Sequence, residues 1–265
     1  MKKINSIQNT KIKYLKKVYG KKKLGFFIVE GLHEFQIAIK NQFIPTKIFI
    51  CKDIFYQDDI VQNYQSIIYF ISIKIFNKLV YRKNSGGIIA LFREKKIHDN
   101  LINMKLVRNS LILILDGIEK PGNLGSMLRT ATAAGFCMII LHNMKTYIFN
   151  PNVIRCSIGT VFNNRFIIEN NIKKILSWIR KNRVEIVATG FHKKSINLYE
   201  NNFRNLFSIA IVFGSEHQGL SKIWYKIADK IIKIPMFGNI DSLNVSNAMS
   251  IIVYEIIRQK KFLLL

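Results

Sequence analysis

The chain of 265 residues has room for one large domain, or two small ones each with its own core. Forty-one Lys and Arg against 16 Asp and Glu give a net charge of +25, and 49% hydrophobic residues exclude a disordered polycation, so the charge coats a folded body. The longest apolar runs fall far short of the roughly 20 residues that cross a membrane, the basic N-terminus lacks an apolar signal core, and three Cys without a C-x-x-C pair fit a reducing, cytoplasmic setting.

A charge of this size points to a polyanion, nucleic acid before an anionic membrane surface. Lys, Ile and Asn also share AT-rich codons, so base composition alone raises Lys; only 10 of the 41 basic residues are Arg. Residues 1–108 carry 21 basic and 7 acidic groups, residues 109–265 carry 20 and 9, and the first 23 residues hold nine Lys and no acid. An electrostatic footprint is therefore expected at the N-terminal end.

In chain order, residues 11–19 place Ile12, Leu15 and Val18 at helical spacing. A strand is expected over 26–29, broken by Glu30-Gly31, then a helix over 32–40 and strands over 47–51, 67–71 and 88–92. This small α/β unit is expected to fill residues 1–94, with a charged linker at 95–109. From 110 to 265 the pattern is cleaner. Strands are expected at 111–115, 137–141, 166–168, 184–189, 208–213 and 230–234, with a helix over 126–134 stopped by Gly135. Strands that are apolar throughout and joined by helices form a parallel sheet covered on both faces.

In such a sheet ligands bind beyond the carboxyl ends of the strands. Three loops there have compositions that core packing does not explain. In 116–131 (DGIEKPGNLGSMLRTA), Gly122 and Gly125 bracket Asn123 just before a helix, and Arg129 follows one turn later. In 214–221 (GSEHQGLS), Gly214, Ser215 and Gly219 make a tight turn around Glu216. In 234–250, Pro235 ends a strand, Gly238 opens a loop and Ser242 caps the helix that runs through Glu255. A dinucleotide G-x-G-x-x-G is absent, which disfavours a dehydrogenase. The five His (33, 98, 142, 192, 217) form no metal-ligand spacing, so no metal is expected. Cys137 and Cys156 read as core, and Tyr14 and Tyr19, among the leading lysines, are free to stack on bases.

Taken together the three loops resemble the SpoU/TrmH family of RNA 2′-O-ribose methyltransferases, in the SPOUT superfamily. The resemblance runs from Leu111 to about Gln259, through Asn123, Gly125 and Arg129; Gly214, Ser215, Glu216, Gly219 and Leu220; and Ile234-Pro235-Met236, Gly238 and Ser242-Leu243-Asn244-Val245-Ser246. Residues 27–31 (FIVEG) and the helix after them look, more weakly, like the substrate-binding domain often fused to that family. The resemblance implies an α/β domain with a deep trefoil knot, a rare exception to unknotted topology, preceded by a small α/β RNA-binding domain. It implies S-adenosylmethionine as cofactor, held by Gly214, Ile234 and Leu243 with Thr189, Gly190 and Met236 nearby, and a homodimer. Arg129, Asn123 and Glu216 would be catalytic, with Asn244 and Ser246 on the substrate.

A ribose 2′-OH is a poor nucleophile until its proton is removed or polarised, and the resemblance assigns that task to Arg129. Neutralising a guanidinium near pH 7 costs about 8 kcal/mol. A cationic Arg129 that orients phosphate and steadies a developing alkoxide is cheaper. Glu216 is expected to brace Arg129 or the knot. RNA is the expected partner, large-subunit (23S) ribosomal RNA before transfer RNA. The alternative is a non-catalytic RNA-binding or ribosome-assembly factor on the same fold.

Overall fold

The computed structural model describes residues 2–19, 25–81, 85–95 and 100–261. Lys21–Lys23 of the leading basic run, His98 and part of the expected linker lie outside them. Packing divides the chain into two compact units, one of residues 1–96 with Tyr147–Asn163, the other of residues 97–146 and 164–265.

The first unit contains β1 (Lys2–Ile4), α1 (Thr10–Tyr19), β2 (Phe26–Glu30), α2 (Leu32–Lys40), β3 (Pro45–Ile50), β4 (Ile68–Ile71), α3 (Ile73–Asn77) and β5 (Ile88–Arg93). The sheet order is β1-β4-β3-β5-β2, with β1, β4 and β3 parallel and β5 antiparallel to both β3 and β2. The apolar stripe on α1, Ile12, Leu15 and Val18, packs on this sheet with Ile28, Phe49 and Leu91. Ten residues, Asp58–Ile67, form 3₁₀ turns that their sequence does not announce.

The segment Tyr147–Asn163, expected inside the second domain, packs with this first unit instead. Its Phe149 stacks on Phe27 with ring centroids 4.4 Å apart, and Phe162 lies 5.0 Å from Phe43. Burying two such rings stabilises by about 1.5–3 kcal/mol each. That outweighs chain continuity in deciding where the segment settles.

The second unit is a seven-stranded, wholly parallel sheet. Its strands are β6 (Leu111–Asp116), β7 (Met138–His142), β8 (Phe166–Ile168), β9 (Val184–Thr189), β10 (Ile196–Asn197), β11 (Ser208–Phe213) and β12 (Lys230–Lys233), in the order β10-β12-β9-β11-β6-β7-β8. The helices are α4 (Pro121–Ala133), α6 (Ile172–Lys181), α7 (Lys222–Ile227) and α8 (Val245–Lys261); α5 (Pro151–Cys156) belongs to the first unit. All six residues of β6 and of β11 are buried, as continuous apolar runs in a two-sided sheet demand.

Two sequence expectations need correction. Cys137 is exposed and Cys156 half-buried, so neither is core; Cys137 sits one residue before β7, where the chain is still at the surface. Tyr19 is not free for bases, because its hydroxyl donates to Glu30 Oε1 at 2.6 Å. Its ring is mostly buried, and burial, the Glu30 charge and this bond together push its phenol far above its ordinary pKa. Tyr14 is half-buried against Phe26, with the Lys47 ammonium 5.5 Å from its ring centre.

Candidate active site

Strands β12, β9, β11 and β6 are consecutive neighbours in the parallel sheet. Their carboxyl ends therefore lie side by side, and the loops that leave them gather at one place. These loops enclose a cavity of about 610 Å3. Thr189 and Gly190, Gly214, Ile234, Met236 and Leu243, all six residues expected around a cofactor, line it, together with Glu216, Ser242 and Asn244.

The loop after β11 closes on itself. Ser215 and Gly219 exchange both backbone hydrogen bonds, at 3.1 and 3.0 Å, and the Gln218 N–H donates to Ser215 Oγ at 3.2 Å. Gly219 has φ +64°, a left-handed turn that suits glycine. A Cβ on Gly214 would overlap the carbonyl of Gly219 and the nitrogen of Leu220, so only glycine lets the turn fold back over the strand end. Across the cavity Gly190 has φ +142°, and a side chain there would overlap the Tyr225 hydroxyl. Thr189 directs its hydroxyl into the sheet, donating to the Val212 carbonyl at 2.8 Å.

One hydrogen-bonded chain joins three loops. Asn123 donates through Nδ2 to Glu216 Oε1, and Asn244 donates through Nδ2 to Asn123 Oδ1 at 3.0 Å. Asn244 Oδ1 accepts from the Ser246 N–H at 3.0 Å and from its hydroxyl at 2.6 Å. Asn244, rather than Ser242, thus caps α8, and Ser242 is left to line the cavity. Gly122 and Asn123 lie in the first turn of α4 and Gly125 just past it, rather than before the helix, because Pro121 is pre-shaped for the first helical position. Helices α4 and α8 meet where Thr130 Oγ1 and Ser250 Oγ approach to 3.1 Å.

Arg129 stands apart. It is exposed, lies on α4 beyond the Asn123 turn and makes no hydrogen bond or ion pair with any described residue. Glu216 therefore braces Asn123, and not Arg129. His217 is exposed on the same loop as Glu216. Among the described residues no group of His, Cys, Asp and Glu is arranged to hold a metal ion, and no helix is long and apolar enough to cross a membrane.

A second network escaped the sequence reading. Asp116, buried at the end of β6, accepts from Ser221 Oγ at 2.8 Å and from its N–H at 3.2 Å, and pairs with His142 Nδ1 at 2.8 Å. Burial pushes the Asp116 carboxyl up, but the bonds from His142 and Ser221 outweigh it and hold the group below its ordinary range. The His142 ring stands edge-on to Trp224, with centroids 5.8 Å apart. These residues pin the ends of β6 and β7 to the start of α7, and so fix the far end of the 214–220 turn. The available signal was an acid and a His each closing an apolar run, LILILD and MIILH.

Comparison with known proteins agrees with this arrangement. The model of the SpoU rRNA Methylase family matches residues 110–254, and that of the MRM3-like substrate binding domain matches residues 9–90. A putative TrmH family tRNA/rRNA methyltransferase of Staphylococcus epidermidis is 32% identical, over 88% of this chain and 96% of that protein. The 23S rRNA (guanosine(2553)-2′-O)-methyltransferase RlmP of Bacillus subtilis is 27% identical over 97% of this chain and 99% of its own length. A crystal structure described as an RNA 2′-O ribose methyltransferase superposes with a TM-score of 0.81 at 32% identity, covering 97% of this chain and 98% of that one.

Proposed function

The chain belongs to the SpoU rRNA methylase family, and from that premise we propose that it is an S-adenosylmethionine-dependent methyltransferase acting on a ribose 2′-OH in structured RNA. The observation that carries the reading is the closure of three sequence-distant loops around one cavity, with Asn123, Glu216 and Asn244 bonded in series at its rim.

The cofactor fits what is there. About 610 Å3 lies within the roughly 300–1,000 Å3 of small-molecule sites. Gly214 lets the 219–220 backbone close over the strand end at the edge of the cavity, and Ile234, Leu243 and Met236 supply apolar walls. When bound, S-adenosylmethionine supplies an electrophilic methyl group on a sulfonium. Gly214, Ile234 and Leu243 hold its adenosine, with Thr189, Gly190 and Met236 beside them. Arg129 stays cationic, orients the nucleotide phosphate and stabilises charge developing on the 2′-oxygen as its proton leaves. That it has no partner among the described residues supports this role, since a paired guanidinium would first have to break that pair. Asn123 and Glu216 fix the loop against which the ribose is placed, and Asn244 and Ser246 complete that edge.

We take the C-terminal segment to thread as the trefoil knot of the family, because β11, β12 and α8 all return to the same cavity. The homodimer is part of the same reading. Exposed apolar side chains on α8, Ile251 and Tyr254, and in the preceding loop, Phe237 at 95% exposure, offer a face for a second copy. Large-subunit ribosomal RNA is the first candidate substrate, as the name of the Bacillus relative says of that protein. The test is incubation with methyl-labelled cofactor and total RNA from cells lacking this protein, followed by digestion to nucleosides. Label is expected in one 2′-O-methylnucleoside at one site. An unlabelled digest from a chain that still binds RNA would favour the non-catalytic alternative.

A further inference from the structure

The first unit holds its own cavity, of about 210 Å3, beside the N-terminal end of α2. This is smaller than the roughly 300 Å3 at which drug-sized sites begin, and suits a single heterocycle. Glu34 and Arg155 line it from α2 and α5, with Ser85 and the Tyr81 ring at its edge. The Ser85 hydroxyl is buried with no hydrogen-bond partner among the described residues, and α2 follows Gly31 (φ +100°) without a side-chain cap. Glu30 is already spent, accepting from the Tyr19 hydroxyl and from the Tyr81 N–H at 3.0 Å. Glu34 has no hydrogen-bond or ion-pair partner among the described residues. Among the described residues Arg155 hydrogen-bonds only to Asn152 and Cys156 on its own helix, and its charge also acts on Glu30, which leaves guanidinium donors over.

Two carboxylates beside one guanidinium repel a phosphate, so the ligand is a neutral group with donors on one edge and acceptors on another. Guanine matches. Its N1–H and N2–H₂ present two adjacent donors to a carboxylate, and its O6 and N7 are the preferred acceptors for Arg. Adenine and cytosine each offer the carboxylate one amino group. Unpaired RNA bases are read in this way, with their faces on aromatic rings, and the Tyr81 ring is 76% exposed.

We propose that this cavity binds an unpaired guanine of the RNA, with Glu34 accepting from its N1–H and N2–H₂ and Arg155 donating to its O6 and N7. The proposal rests on the RNA methyltransferase reading only for the source of the base. The test is fluorescence anisotropy of the full chain with the labelled pentamers UUGUU, UUAUU and UUIUU, where inosine lacks the N2 amino group. UUGUU is expected to bind about tenfold tighter than UUAUU, with UUIUU between them. Glu34→Gln should erase the preference for guanine over inosine, and Arg155→Lys should weaken UUGUU and UUIUU, which share O6 and N7, more than UUAUU; a packing role would leave base preference unmoved. Thermal melting of both variants checks that they fold. GMP should compete with UUGUU but bind more weakly; GMP binding as tightly as the pentamer would make the ligand a free nucleotide and overturn the RNA assignment. Equal binding of the three pentamers, or a preference untouched by Glu34→Gln, would also overturn the proposal. Methylation of total RNA by the same preparation would then leave the function above intact.

Discussion

The two units place their polar side chains differently. In the parallel sheet every strand ends at the same edge, so the chemistry-bearing residues collect in the loops and helix starts there: Asn123 bonds to both Glu216 and Asn244, and Arg129 bonds to no described residue. In the mixed sheet strand ends face both ways, and two of that unit's tyrosines are held in part-buried pairs with carboxylates. Tyr19 donates to Glu30, and Tyr147 donates to Glu94 at 2.8 Å. A partner that fully satisfies a side chain makes it structure, whereas an unsatisfied charge at a strand-end cluster is available for chemistry.

Six substitutions can break or sharpen that contrast. Arg129→Ala should have the largest effect, lowering methyl transfer by about 100-fold or more while cofactor binding and melting temperature stay unchanged; unaltered transfer would remove Arg129 from the mechanism. Asn123→Ala strips a donor from Glu216 and an acceptor from Asn244, and should cost about 1–3 kcal/mol, read as a roughly 5- to 150-fold loss of kcat/KM. Combined with Glu216→Gln it should cost less than the two losses added, since both cut one chain.

Tyr19→Phe should lower stability by about 1–3 kcal/mol in denaturant unfolding, by orphaning one Glu30 oxygen, with cofactor binding unchanged. The smallest effect is in the pH dependence of unfolding. The Asp116 carboxyl is held below its ordinary value, so its contribution is present above the unfolded pKa of about 3.9 and is lost as pH falls through the folded value. Glu30 is shifted up, first by burial, so its protonation favours the folded state and opposes that acid loss. Between about pH 5 and 3, Asp116→Asn should flatten the decline in stability and Glu30→Gln should steepen it. The reverse order would mean that the two carboxylates have been assigned the wrong environments.

Much of this was legible in the sequence wherever a local pattern decides the outcome. The apolar runs became strands within a residue or two, and 166–168, 184–189 and 208–213 match to the residue. The six cofactor residues came from the family resemblance, and they line one cavity because adjacent parallel strands leave no other place for their loops. What was hidden depended on distant partners. Ser221 reaches Asp116 from 105 residues away, and neither neighbourhood announces the other. The choice of Asn244 over Ser242 as cap turned on where α8 starts, and both residue types cap helices well. The burial of Tyr19 and the move of 147–163 into the first unit were decided by Glu30 and by Phe27, which no spacing rule connects to them.

The central claim is that the 214–220, 234–244 and 189–190 loops form one cofactor pocket, and equilibrium dialysis of labelled S-adenosylmethionine against the full chain tests it most directly. The native chain should bind the cofactor, Gly214→Ala should lose at least tenfold in affinity because its Cβ overlaps the 219–220 backbone, and Gly238→Ala, which meets open space, should bind as the native chain does. A native chain that binds no cofactor, or a Gly214→Ala chain that binds it equally well, would contradict the account.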